Sequence, residues 1–315
     1  MDGSKVLIST FRNEAPFVLE FVAHHKAVGF DEIIIASNDC TDGTAEILQS
    51  LDDAGLIRHL LCVPTAKLSP QSFAYAEMRS QFQLNSADWL MILDADEFLN
   101  IHVGQGQLND LIAAQDNPEL ILINWACFGA DAHKQWVDSP TCSRFVHRLR
   151  TLSGKGHVKS LIRTPAKWQK FSNHHPFGWL GQGTVRIAFA GGVWVDTVSA
   201  DSVTLGAYRD IEPRSSTFDR AQINHYATRT RDSFDLRRSR GRGAAPPGSL
   251  NTRHSDAYFR RMSCGKIPDL SIARYATQVA ALMAEYRSIP AIDRAVTAGI
   301  RLYQTQIDRY WQDHT

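Results

Sequence analysis

Two carboxylates spaced two residues apart close an apolar run: Trp89-Leu90-Met91-Ile92-Leu93 leads straight into Asp94-Ala95-Asp96-Glu97. Five apolar residues suit a buried strand and are too few for a typical helix. On an extended chain residues i and i+2 point the same way. Asp94 and Asp96 are therefore expected side by side where the strand leaves the core. Ionised carboxylates so placed repel unless a cation lies between them. A hard divalent ion with oxygen ligands, Mg²⁺ or Mn²⁺, resolves the conflict and leaves positions open for phosphate. The plain alternative is a solvated acidic turn, since short motifs match by accident. The neighbouring elements decide between the two.

Lys5 to Phe11 reads as a first buried strand, broken by Arg12-Asn13-Glu14. Pro16 suits a first helical turn, where its missing N–H costs nothing. Phe17, Leu19, Phe21, Val22 and Val28 give an apolar helix that Gly29 is placed to cap. Ile33-Ile34-Ile35 marks a second strand, covered on both faces. Asn38, Asp39, Asp42 and Thr44 are loop and capping types, and Gly43 permits a tight turn before a helix from Ala45 to Leu51. His59 to Val63 is a third strand, Pro70 to Leu84 a helix, and Trp89 to Leu93 a fourth strand. This alternation predicts a parallel sheet with helices on both faces. Such sheets bind ligands outside the carboxyl ends of their strands. Thr10, Arg12 and Glu14, then Ser37-Asn38-Asp39, then Asp94 and Asp96 all lie there. Clusters at successive strand ends, the last able to hold a metal, favour a nucleotide site over a chance acidic turn.

Other classes recede. No GxGxxG follows the first strand, and no GxxxxGK followed by Ser or Thr occurs. That argues against a dinucleotide-dependent dehydrogenase and a P-loop nucleotidase. A net charge of +1 over 315 residues supplies no field for nucleic acid or an anionic membrane. The five cysteines are scattered without a CxxC pair, as in reduced thiols rather than a disulfide framework or zinc site. No secretory pattern opens the chain, and no stretch nears the ~20 apolar residues of a spanning helix. The expected setting is cytoplasmic, with membrane contact peripheral only, at the inner face.

Further on, Leu108 to Ala114 reads as a short helix and Leu120 to Cys127 as a strand ending in Phe128-Gly129-Ala130-Asp131. Ser139 to Val195 turns β-rich and basic and is expected to form a smaller mixed sheet on the acceptor side, with His174-His175-Pro176 in a turn. Arg229 to Arg242 holds six arginines, followed by a Gly/Pro-rich loop. Leu270 to Trp311 has helical periodicity, broken near Ser288-Ile289-Pro290, and is expected to pack back on the preceding domain.

In order along the chain, TFRNEAPFVLEFVAHHKAVGFDEIIIASNDCTDGT, WLMILDADEFL, INWACFGADAH and INHYATRTRDSFDLRRSRGRG resemble the GT-A fold glycosyltransferases of the family-2-like and family-92-like groups. The resemblance covers about Lys5 to Gly241. It implies an α/β fold: a Rossmann-like nucleotide-sugar-binding sheet with helices on both faces, the smaller mixed β region and a C-terminal helical extension. The expected division is a catalytic domain over 1–228 and a basic, helical extension over 229–315. By position, the resemblance implies that Glu14 and Asp39 contact the base and ribose of a nucleotide-sugar, with Thr10 and Arg12 lining that pocket. Asn38, Arg79, Ala95 and Arg237 are assigned to the same donor pocket. Asp94 and Asp96 would bind the divalent ion and, through it, the diphosphate, and His225 would complete the metal site. A neutral imidazole suits Mn²⁺ better than Mg²⁺.

The implied reaction moves a sugar from a nucleotide-diphosphate sugar to a hydroxyl of a glycan or lipid-linked acceptor, in surface or capsular glycan synthesis. Metal and arginines would stabilise charge on the departing phosphate. An inverting transfer also needs a general base at the acceptor hydroxyl. Asp131 is the candidate, with His175, Asp138 and Glu97 as alternatives. Trp125 and Phe128 could offer an apolar face to a sugar ring. A nucleotidyltransferase is the first rival, but FRNEAPF lacks the glycine-rich phosphate loop it would need. A catalytically inactive nucleotide- or glycan-binding module is the second.

Overall fold

The structure, a computed structural model, describes residues 3–63, 69–130, 133–150, 157–192, 194–197, 217–239 and 254–314. Strand β1 (Lys5–Phe11) leads through a 3-10 turn at Ala15–Phe17, with Pro16 in its first positions, into helix α1 (Val18–Val28). Gly29 ends α1 at φ 105°, a left-handed conformation that glycine adopts without penalty. Then come β2 (Glu32–Ser37), α2 (Thr44–Asp53), β3 (Arg58–Leu61), α3 (Pro70–Gln81), β4 (Trp89–Ile92) and β5 (Glu97–Ile101). They are followed by α4 (Leu108–Ala113), β6 (Leu120–Cys127), α5 (Thr141–Arg144), β7 (His147–Arg148) and β8 (Val158–Arg163). Next are β9 (Trp168–Phe171), β10 (Pro176–Trp179), β11 (Val185–Phe189), β12 (Trp194–Thr197) and β13 (Ala221–His225). Last are α6 (Arg231–Ser239), α7 (Asp256–Met262), β14 (Ile267–Pro268), α8 (Ala276–Arg287) and α9 (Pro290–His314).

The main sheet runs β12-β11-β6-β8-β4-β1-β2-β3, with β13 joined to β5 and β6. Strands β4, β1, β2 and β3 are parallel neighbours, so their carboxyl ends share one edge. Residue parity divides the interior, because alternate side chains face opposite sides of a sheet. Leu7, Ile35, Met91 and Ile121 pack on one face with Val22 of α1 and Leu48 of α2. Val6, Ile34, Leu90 and Leu122 pack on the other with Ala74, Tyr75 and Met78 of α3.

The region from Ser139 to Val195 departs from expectation. It does not stand apart as a smaller sheet. Strand β8 enters the main sheet antiparallel to both β4 and β6, filling the gap between them, and β11 extends the sheet beyond β6. Val158 to Ile162 are buried on both faces, and without β8 both β4 and β6 would expose unpaired edges. The pairs β9–β10 and β7–β14 lie off the main sheet. Glu97–Ile101, directly after the acidic segment, is a further buried strand, paired antiparallel to β13.

Val279 and Tyr286 of α8 and Ile292 and Val296 of α9 belong to the same core as α1. The chain turns between these helices at the expected break before Pro290. The middle of α9, around Gly299 and Leu302, then crosses the start of α2. A Cβ built on Gly43, at φ +90°, would lie 2.9 Å from the Cα of Gly299. Two glycines thus let α9 reach the loop that follows β2. No described helix is long and apolar enough to cross a membrane.

Candidate active site

The Asp94-Ala95-Asp96 segment is a tight turn between β4 and β5, not a continued strand. Its ends bind each other: the Asp94 N–H donates to Glu97 Oε2 at 2.7 Å and the Glu97 N–H to the Asp94 carbonyl at 3.0 Å. The two carboxylates therefore do not leave one extended chain together. Each turns to its own partners.

Asp94 faces Lys159 of β8, whose ammonium lies 3.0 Å from Asp94 Oδ2 and 2.7 Å from Glu97 Oε2. Gln71, in the first turn of α3, donates to Asp94 Oδ1 at 2.9 Å and to Thr10 Oγ1 at 3.3 Å. Lys159 and Glu97 are wholly buried, while the Asp94 side chain keeps 26% of its surface exposed. Burial alone would lower the Lys159 pKa, but Asp94 and Glu97 override it and raise it. Burial, reinforced by Asp94 and Asp96, pushes the Glu97 carboxyl well above its usual range despite Lys159.

Asp96 faces the other way. Arg237 Nη1 of α6 donates to Asp96 Oδ2 at 2.5 Å, and His225 Nε2 at the end of β13 is 3.7 Å from the same oxygen. Burial would raise the Asp96 pKa, but Arg237, His225 and Arg229 hold it well below the carboxylate range. The His225 pKa is lowered to about 4, chiefly by burial, so its imidazole is neutral at pH 7. Trp125 packs on it with ring centroids 4.0 Å apart.

Glu14, expected to face base and ribose, is 3% exposed, and its carboxylate serves two arginines. Arg229 Nη1 donates to Oε2 at 2.7 Å and Arg237 Nη2 to Oε1 at 3.3 Å. Arg229 also lies 3.4 Å over the Phe17 ring and donates to the Ala95 carbonyl at 2.9 Å. The contribution of Ala95 to the site is thus a backbone oxygen. Glu14 is the buried anchor on which the arginines are set.

The remaining donor-pocket residues divide. Thr10 is tied to Asp94 through Gln71. Arg12 is half-buried beside it in sequence, at the exit of β1. Asp39 is exposed at φ 47° and accepts from Asn38 Nδ2 at 2.8 Å, on the loop after β2. The structure does not bring Arg79 to the pocket. It stands eight residues beyond Gln71 on α3, about 12 Å by helical rise. Its guanidinium donates to the carbonyls of Trp168 and Gln169, both at 2.7 Å, and to Asn85. Asp131 lies outside the described residues. Phe128 is 1% exposed, packed against Tyr226 rather than facing a sugar. Trp125 is half-buried among the rings of His225, His157 and His174.

The donor set suits Mn²⁺: carboxylate oxygens from Asp94 and Asp96 and a neutral imidazole from His225. The 3.7 Å between Asp96 Oδ2 and His225 Nε2 is too long for a hydrogen bond. Asp94, Asp96 and His225 are the residues that would hold a divalent ion, whose charge would stabilise a diphosphate. Among the described residues no three His, Cys, Asp or Glu side chains already form a metal cluster. Lys159 and Arg237 neutralise the two aspartates. Around the turn, Glu14, Asp94, Asp96 and Glu97 outnumber the cations Lys159, Arg229 and Arg237 by one.

Sequence reasoning missed Gln71 and Lys159. Lys159 carried a signal: two residues before the apolar Leu161 on a strand, it shares that residue's buried face.

Fold and site together define an α/β protein with an acidic turn at the strand exits and buried arginines opposite it. The sequence profile of Glycosyltransferase family 92 matches residues 6–239, and the chain belongs to that family. Among curated relatives, a Glycosyltransferase family 92 protein of Oryza sativa subsp. japonica is 29% identical over 52% of this chain and 27% of its own length. One of Ricinus communis is 27% identical over 35% of this chain and 19% of its own length. The chain thus spans about a quarter or less of the curated relatives it matches. The crystal structure of S. aureus TarS 1-349 in complex with UDP is 14% identical, with TM-score 0.34, covering 51% of this chain and 47% of that one. That is a partial likeness, and the assignment rests on the family match.

Proposed function

We propose that the protein transfers a sugar from a nucleotide-diphosphate sugar to an acceptor hydroxyl with a divalent ion, Mn²⁺ for preference. The observation that carries this reading is the acidic turn at the strand exits, with His225 Nε2 3.7 Å from Asp96 Oδ2. Asp94, Asp96 and His225 would hold the ion, which when bound supplies charge stabilisation to the diphosphate. The loops after β1 and β2, with Thr10, Arg12 and Asp39, would receive the nucleoside. Arg237 would offer its fork to phosphate, since a guanidinium binds such groups in a bidentate manner. Asp131, just past β6, is the proposed general base for an inverting transfer. A glycan acceptor follows from the family, and a surface or capsular product, made in the cytoplasm, is the setting we propose.

A thermal-shift series with UDP, GDP and ADP tests the donor reading, because a ligand of the native state alone raises its melting temperature. One diphosphate should raise it with Mn²⁺ and not without. No shift from any of them, with or without metal, would sink the reading. Once transfer is measured, Asp131→Asn should lower turnover by ~10²–10⁴-fold with donor binding kept.

A further inference from the structure

A second opening adjoins the acidic turn, on the face of the sheet away from α3. Thr10 and Asp94 meet through Gln71 of α3, whereas α9 packs on the opposite face with α1 and α2. Between α6 and α9 lies a cavity of about 670 Å³, within the ~300–1,000 Å³ usual for ligand sites. Glu14 and Arg237 form its buried wall, and Arg237 is the group that donates to Asp96. Most of the remaining wall belongs to α9, which lies beyond the residues 6–239 matched by the family profile. We infer that this cavity receives the acceptor, that the acceptor is an uncharged glycan, and that α9 selects it. Calling the ligand an acceptor rests on the transfer proposed above; the fit of the cavity to a glycan stands on its own walls.

The lining decides the class of ligand. An acyl chain needs apolar walls, and only Leu236 and Leu302 here lack a polar group. Charge is balanced: Arg229 and Arg237 are taken up by Glu14 and Asp96, and Arg309 is matched in number by Asp313. A sugar ring carries hydroxyls at its rim and C–H groups on its faces. Tyr303 and Tyr310 offer rings for the faces, since tyrosine joins an apolar body to a polar tip. Arg309 makes no ion pair among the described residues, so its N–H donors are open to the hydroxyls. The chain beyond Asp131, the proposed general base, docks on the same two helices. The Trp136 N–H donates to Asp232 of α6 at 2.7 Å, and its ring lies 5.1 Å from that of Tyr303. The acceptor wall and the segment that follows the base are thus held together.

Saturation-transfer NMR on the full chain tests this without measuring turnover, with lactose, cellobiose, maltose and chitobiose as probes. At least one of them should bind wild type. Thr305→Trp fills the cavity from α9, and Thr305 is exposed, its hydroxyl donating only to the Arg301 carbonyl of the same helix. It should weaken the disaccharide at least about tenfold, a change of 1.4 kcal/mol. Arg309→Ser should weaken it by about tenfold or more, as for a lost hydrogen bond to a charged group. Both variants should melt as wild type does and keep diphosphate binding within about twofold, far short of that tenfold step. Should Thr305→Trp fail to fold, Arg309→Ser decides alone. Silence from every probe with wild type overturns the inference, as does wild-type disaccharide affinity in the variants; both leave the donor reading standing. Loss of diphosphate binding in a folded Thr305→Trp also overturns it, since the cavity would then belong to the donor. Absence of diphosphate binding to wild type instead sinks the donor reading, and disaccharide binding lost in the variants would then uphold a glycan site that is not an acceptor site.

Discussion

Asp94 and Asp96 sit on one turn and are neutralised in opposite ways. The Asp94 side is built from strands: Lys159 of β8 reaches under the turn, wholly buried, and binds Asp94 and Glu97 together. The Asp96 side is built from a helix and a strand end: Arg237 of α6 and His225 of β13. The strand that carries the first cation is held in the sheet, paired with β6 at Lys159 opposite Ile123 and with β4 from Leu161 onward. The second hangs on the last turn of a helix beside open volume. One half of the acidic turn is neutralised from inside the sheet and the other from a helix end that borders open volume.

The largest effect should come from the fixed half. Lys159→Met leaves Asp94 and Glu97 without their cation, and breaking a buried pair on one side costs about 3–5 kcal/mol. Denaturant unfolding measures it. Removing the buried acid as well, in Lys159→Met/Glu97→Leu, should recover part of the loss, and no recovery would break the account. Lys159 is raised above its ordinary 10.5 in the fold. Its contribution is thus whole below pH 10.5 and fades as pH climbs through the folded value.

A smaller loss is expected from Asp96→Asn, about 1.5–3 kcal/mol for a charged hydrogen bond. The folded pKa of Asp96 is depressed below its ordinary 3.8, so its stabilisation is present above that value and lost on acidification. Unfolding curves of wild type and variant should converge as pH falls below 3.8. A difference that persists there would show that the carboxylate charge is not what stabilises this half.

The smallest effect concerns a cation outside the site. Arg79→Ala should cost about 1 kcal/mol, for hydrogen bonds that are partly exposed. Nucleotide affinity should stay within about twofold, well under the tenfold that 1.4 kcal/mol represents. A tenfold loss would return Arg79 to the donor pocket and blur the line between structural and site cations.

Much of the fold was readable because the first 95 residues obey local rules. Pro16, Gly29 and the apolar runs mark the element ends they occupy. The site was readable to the extent that it lies at the ends of those strands. Partnership was not readable. Glu14 and Arg229 are 215 residues apart in sequence, and no spacing rule joins them. The Asp-x-Asp spacing misled in one respect, since the backbone turns after Asp94 and the i, i+2 rule holds only on an extended chain. Strand β8 was read as part of a separate sheet because its basic ends, His157 and Arg163, conceal a buried centre.

The insertion of β8 also dictates a folding order. Strands β1 to β4 can pair as soon as they are made, but β4 keeps an open edge until β8 arrives some 60 residues later. Lys159 travels with β8, and Arg229 and Arg237 follow later still. The acidic turn therefore exists in the nascent chain well before any of its cations. Contacts of such long sequence separation close late and slow the search. Refolding followed by nucleotide binding should therefore report the last step of the sheet's closure rather than the first.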